Sequence, residues 1–181
     1  IMENTCMDID GVLCDDPTAA ENDDGVNYRF FLLNTKPKII PSKRVKYLVT
    51  SRLEKYREET EQWLNDNAIK YDKLIMLDAT AEERRAQGLH AKFKAGFYER
   101  SDCRLFVESS KIQAEYINAS TGKPVYCVEN NYLYDGNRSY KLQNETARNV
   151  KRSVKKFVRK STFLRKIYDK LRNNNRNESL K

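Results

Sequence analysis

Five short apolar runs, near residues 5–9, 44–50, 72–77, 103–108 and 124–128, recur along the first 130 residues, and segments of helical pattern separate them. Each run is nearly continuous in apolar content rather than alternating, as expected for strands covered on both faces. Alternation of such runs with helices predicts a parallel sheet with helices on both sides, an α/β, Rossmann-like architecture. Helix candidates are 24–34, 52–67, 92–99 and 110–120. The second is the strongest, with Leu53, Tyr56, Thr60, Trp63 and Leu64 along one face. Ligands of open parallel sheets bind beyond the carboxyl ends of the strands. Asp8, Asp10, Thr50 and Glu108 all fall at that edge.

The first run carries the densest chemistry, in Cys6-Met7-Asp8-Ile9-Asp10-Gly11-Val12-Leu13. Side chains alternate along a strand, so Asp8 and Asp10 leave its tip on one side. Gly11 allows a sharp turn and Val12-Leu13 re-enters apolar surroundings. Two carboxylates that close need a cation or a shared proton between them, the way a hard-metal or acid–base site is built.

Further along, Val45-Lys46-Tyr47-Leu48-Val49-Thr50-Ser51-Arg52 ends an apolar run in a hydroxyl. His90-Ala91-Lys92-Phe93-Lys94-Ala95 opens a helix with two lysines, and Cys103-Arg104-Leu105-Phe106-Val107-Glu108-Ser109-Ser110 ends a run in an acid. These four segments, in this order over residues 4–128, resemble the signatures of the haloacid dehalogenase superfamily of phosphatases and phosphotransferases. The resemblance implies an Mg2+-dependent phosphatase with little or no cap domain. It implies Asp8 as the nucleophile that forms an aspartyl-phosphate and Asp10 as general acid and base. Thr50 then donates to a transferring phosphoryl oxygen, and a lysine balances the charge. Lys94 is favoured over Lys92, because Phe93 and Phe97 then form the apolar side of the helix. Asp8, the carbonyl of Asp10 and Glu108 are the implied Mg2+ ligands, and Gly11, Ser51 and Arg52 the residues around the substrate. One departure stands out: the family commonly shows two acids in its fourth segment, whereas Glu108 is followed by Ser109 and Ser110. A catalytically weak or silent binding or regulatory domain on the same fold is therefore the alternative. Similar domains occur downstream of phosphoribosyltransferase-like domains in bacteria, so fusion to such an enzyme belongs to that alternative.

Substrate selection is expected in the insertions, and both candidates are short. The segment between Asp8 and Thr50 has room for a flap and one helix, and Thr80 to Gly88 is shorter still. An open site of this kind tolerates bulky or macromolecular substrates, or is closed by a partner domain; the expected substrate is a small phosphorylated compound such as a sugar, nucleotide or phosphoribosyl compound. Asp15, Asp16, Glu21, Asp23 and Asp24 make its mouth acidic, and they read best as solvated loop charges, with Asp23 or Asp24 capping the following helix. Arg52 is the leading candidate for gripping substrate, ahead of Tyr28 and Arg29; His90 is the only histidine.

Other chemistries lack their residues. No serine lies in a Gly-x-Ser-x-Gly elbow, one histidine cannot build a zinc cluster, and no Gly-x-Gly-x-x-Gly occurs. No apolar run approaches 18 residues, the length of a membrane span, and no secretory leader is recognisable. The four cysteines show no paired spacing, which favours free thiols and a reducing, cytoplasmic compartment. The chain starts at Ile1 just before its first strand, which suggests a piece of something longer.

Basicity is not spread evenly over the +8 net charge. Residues 148–172 hold eleven Lys or Arg and one acid, Asp169, so the part before them is mildly acidic. Val150, Val154, Phe157, Leu164, Tyr168 and Leu171 recur at steps of three and four, interrupted by Ser161, the pattern of an amphipathic helix with basic flanks. The expected organisation is a catalytic domain over 1–143, a basic helix over 144–172 and a disordered polar end over 173–181. The helix is expected against its own domain, a partner subunit or, as a peripheral contact, an anionic membrane surface. Nucleic acid ranks last, because an isolated basic helix lacks a reading module.

Overall fold

The computed structural model describes residues 2–135. Its elements run β1 (Thr5–Met7), α1 (Val26–Asn34), β2 (Val45–Leu53), α2 (Arg57–Asp66), β3 (Tyr71–Leu77), α3 (Ala81–Ala86), α4 (Leu89–Arg100), β4 (Leu105–Glu108), α5 (Lys111–Thr121), β5 (Val125–Cys127) and β6 (Tyr132–Tyr134). They form one six-stranded sheet in the order β3-β2-β1-β4-β5-β6. All neighbours pair in parallel except β6, which returns antiparallel along β5. The chain is thus α/β with a mostly parallel sheet, as its apolar runs predict.

Neighbouring residues of a strand serve opposite faces, and the core divides accordingly. Met7 and Leu48 pack with Tyr28, Leu32, Trp63 and Leu64 of α1 and α2. Cys6 and Val49 pack with Ala95, Tyr98, Ala114 and Ile117 of α4 and α5. Central strand β1 is buried throughout, whereas the outer strands β3 and β6 carry exposed residues, Asp72 and Lys73 in β3 among them. Cys6, Cys14, Cys103 and Cys127 are buried free thiols.

Boundaries and elements differ from expectation in several places. β1 ends at Met7, because the Ile9 carbonyl already accepts the amides of Val12, Leu13 and Cys14 in a turn. β2 runs on to Leu53 and shifts register against β3 between Val49 and Leu53, so Arg52 and Leu53 belong to the strand and α2 begins only at Arg57. Short α3, not assigned from sequence, is fixed by a capping box in which Thr80 accepts the Glu83 amide and Glu83 accepts the Thr80 amide. Strand β6 was also unassigned. It is three residues long, largely exposed, and follows Asn131 at φ 50°.

Among the described residues no helix is long and apolar enough to cross a membrane. The basic helix expected over 144–172, its boundary at 143 and the polar end over 173–181 lie outside the described residues.

Candidate active site

The strand order brings β1 between β2 and β4, so the tips of these three strands meet at one edge. Beyond them lies a cavity of about 670 Å3 whose lining includes Asp8, Asp10, Thr50, Arg52 and Lys94.

The end of β1 is pinned by its neighbour, because the Asp8 amide donates to the Val107 carbonyl at 3.0 Å. Asp8 Oδ1 accepts its neighbour's amide, from Ile9, at 2.8 Å. Gly11 then turns the chain at φ +71°, and a Cβ there would lie 2.4 Å from both Cβ and Oγ of Ser109. Glycine is required twice over, for its conformation and for the close approach of the β4 tip.

Lys94 is the hub on the other side. It comes from α4, is 2% exposed, and donates to Asp8, to Glu108 Oε2 at 2.7 Å and to Gln113 Oε1 at 3.1 Å. The remaining Glu108 oxygen accepts the amides of Ser109 and Ser110 at 3.0 and 3.2 Å. Lys92, two residues earlier, points elsewhere and donates to the Gln87 carbonyl at the surface. Geometry therefore brings Lys94, not Lys92, to the two acids.

Asp10 is held from the opposite wall. Arg52 Nη2 donates to its Oδ1 at 2.6 Å, and Nε lies 3.2 Å from both oxygens. The same guanidinium reaches Thr60 and the Cys14 sulfur, and stacks 6.0 Å from the Trp63 ring centroid. Its side chain has no exposed area, so its donors are spent on Asp10 and the core. Thr50 is buried, and its Oγ1 accepts the Arg52 amide at 3.2 Å. The Ser51 hydroxyl donates to the His90 carbonyl at 3.1 Å, tying β2 to the first turn of α4.

Electrostatics follow from this burial. Desolvation pushes the Asp8 carboxyl up; Lys94 opposes that shift, while Glu108 and Asp10 add to it. Burial alone would lower Lys94, but Asp8 and Glu108 outweigh it and hold the ammonium protonated. Asp10 and Glu108 likewise raise Asp16, after desolvation. His90 is lowered by burial and by the cations Arg84 and Lys94.

The donor chemistry fits a hard cation. Among the described residues no three Asp, Glu, His or Cys side chains stand together as a closed cage. The site instead offers two buried carboxylates, Asp8 and Glu108, beside the backbone of Asp10, all oxygen donors. Asp8 and Glu108 share the single ammonium of Lys94, so at the tips of β1 and β4 two carboxylates face one cation. That excess of negative charge suits a small divalent ion with water completing its shell.

Most of the acidic mouth is consumed locally. Asp15 pairs with Lys38 at 3.1 Å, and Asp24 accepts from Lys55 and Tyr56. Asp23 accepts the amides of Gly25, Asn27 and Tyr28 at the start of α1, the cap expected there. Arg29 pairs with Glu59 at the surface, whereas Tyr28 lines the cavity.

Arg84 and Gln113 are among the cavity residues that the sequence does not single out, and Asp16, expected only as a solvated mouth charge, lines the cavity as well. Asp16 lies in an irregular loop and Arg84 on unassigned α3. Gln113 follows the cap residue Ser110 by three positions, the one signal that it faces back toward the strand tips.

Compared with models of protein families, with curated proteins and with solved structures, the chain matches none.

Proposed function

We propose that this chain is an Mg2+-dependent phosphatase of haloacid dehalogenase type acting on phosphomonoesters. The observation that carries the reading is Lys94, whose buried ammonium bridges Asp8 and Glu108 at the parallel strand tips while Asp10 stands beside them on its own arginine. A buried carboxylate held against an ammonium, next to a second carboxylate of different environment, is how nucleophile and acid–base roles are separated.

In this reading an oxygen of Asp8 attacks phosphorus, and the ester oxygen leaves with a proton from Asp10. Asp10 then takes a proton from water, whose oxygen attacks the same phosphorus and releases phosphate and free Asp8. Arg52 fixes the orientation of the Asp10 carboxylate through both steps. Thr50 donates its hydroxyl to a phosphoryl oxygen, and Lys94 offsets the negative charge gathered around Asp8. Mg2+, held by Asp8, the Asp10 carbonyl and Glu108 directly or through water, would supply charge neutralisation between the nucleophile and the anionic ester.

A second reading, a silent binding or regulatory domain, is favoured by Ser109 and Ser110 standing where a second acid is expected. Turnover of p-nitrophenyl phosphate with Mg2+ separates the two. The phosphatase reading requires phosphate release that Asp8→Asn abolishes with the fold retained, and equal rates in Asp8→Asn would end it.

A further inference from the structure

Arg84 stands apart from every other cation on the cavity wall. Lys94 is neutralised by Asp8 and Glu108, Arg52 by Asp10 and Lys38 by Asp15. Among the described residues Arg84 makes no ion pair. Its Nη1 donates to the Ser51 carbonyl at 3.0 Å, and among the described residues its Nε is the one buried side-chain nitrogen or oxygen without a partner. A guanidinium offers five donors in a planar fork, and leaving a buried donor unmade is costly. What an arriving anion meets is the unpaired charge and the accessible Nη2, which makes no hydrogen bond among the described residues, rather than the enclosed Nε.

Its location says which part of a ligand that is. Arg84 belongs to α3, in the segment between β3 and α4, whereas the strand-tip acids come from β1 and β4. The bond to Ser51 anchors it one residue past Thr50, on the wall it shares with His90. The cavity's volume of about 670 Å3 is that of a site for a whole metabolite, since ligand pockets run from roughly 300 to 1,000 Å3. A single phosphoryl group among Asp8, Thr50 and Lys94 leaves most of it unfilled. Tyr28, Pro17 and Val128 line the remainder with apolar surface, suited to the body of such a molecule.

We propose that Arg84 is the anchor of a second anion subsite, so that the preferred substrate is a small phosphomonoester carrying a further phosphate or carboxylate group. The proposal rests on the phosphatase reading for which group is hydrolysed, and it deepens that reading by naming the substrate class. The bond to Ser51 holds the guanidinium in place before the ligand arrives, and Nη2 donates to the distal anion in a charge-assisted contact. Thr80 and Glu83 hold α3 at the rim through their reciprocal cap, so the short segment carries specificity without a cap domain.

Calorimetric titration of the full chain made inactive by Asp8→Asn, with Mg2+ present, tests it using fructose 1,6-bisphosphate and fructose 6-phosphate as a matched pair. The bisphosphate is expected to bind at least about tenfold tighter, the size of a charge-assisted contact. Adding Arg84→Gln should collapse that ratio to below about threefold, and Arg84→Lys should restore part of it. Equal affinity for the pair, no binding of either, or a ratio that survives Arg84→Gln overturns the subsite. Weakening of both ligands by one common factor also overturns it, since Arg84 then holds the phosphoryl group at Asp8. Phosphate release by the chain with Asp8 intact is read separately. Discrimination that depends on Arg84 without any hydrolysis keeps the anion subsite and removes the phosphatase.

Discussion

Arg52 Nη2 lies 2.6 Å from Asp10 Oδ1, so an arginine with no exposed side-chain area on β2 holds a carboxylate delivered by the turn after β1. The pair joins two strand tips that are neighbours in the sheet but far apart in sequence. It also turns Arg52 from a gripping residue at the mouth into a brace for Asp10.

Removing one side of that pair should cost far more than removing both. Arg52→Met leaves Asp10 against an apolar core edge and should destabilise the chain by about 3 kcal/mol, as breaking buried ion pairs does. The double variant Arg52→Met with Asp10→Asn should recover a large part of that loss. Urea unfolding of the four proteins of the cycle measures the coupling, and additive losses would show that the pair is not coupled.

Metal dependence should follow Glu108. Phosphate release is expected to need Mg2+ and to stop with chelator. Glu108→Gln should raise the Mg2+ concentration for half-maximal rate by tenfold or more, because neutralising a buried oxygen donor weakens a hard-cation site. A rate with an unchanged Mg2+ requirement would place the ion elsewhere.

Gly11→Ala meets two obstacles at one atom. The positive φ disfavours any side chain, and the new methyl would press into Ser109 at 2.4 Å. A loss of about 3 kcal/mol is expected in chemical unfolding. The Ser109→Gly background should relieve the steric part and leave the conformational part.

His90 provides a pH signature. Its folded-state value is lowered from the usual 6.5 by burial, with Arg84 and Lys94 adding to the effect. The folded chain therefore binds fewer protons than the unfolded chain, and stability falls as pH drops through about 6.5 toward the lowered value. Above 6.5 the residue contributes no such slope. Melting temperatures between pH 7.5 and 5.5 should fall less steeply in His90→Gln than in the unaltered chain, and parallel slopes would remove His90 as the source.

Local pattern carried much of this architecture. The apolar runs of β1 to β5 show little polar alternation because both faces of the sheet's centre are covered, and that alone spells a parallel α/β sheet. Asp8, Asp10, Thr50 and Glu108 were legible because each closes such a run, and strand tips in a parallel sheet share one edge. Trp63 and Leu64 of α2 follow from a helical stripe that needs no partner to be recognised. What tertiary structure decided are the matters that depend on rotation and on contacts between distant segments. Lys92 and Lys94 are both plausible in sequence, and only the docking of α4 against the sheet turns Lys94 toward Asp8 and Glu108 while Lys92 faces Gln87 at the surface. Arg52 looked like a helix-start residue at the mouth, and the register shift of β2 against β3 kept it in the strand, buried against Asp10. Arg84 had no signature at all, since a six-residue helix is too short to show a periodic face. Its place on the cavity wall comes from Ser51, a residue 33 positions away that the folded chain brings within 3.0 Å.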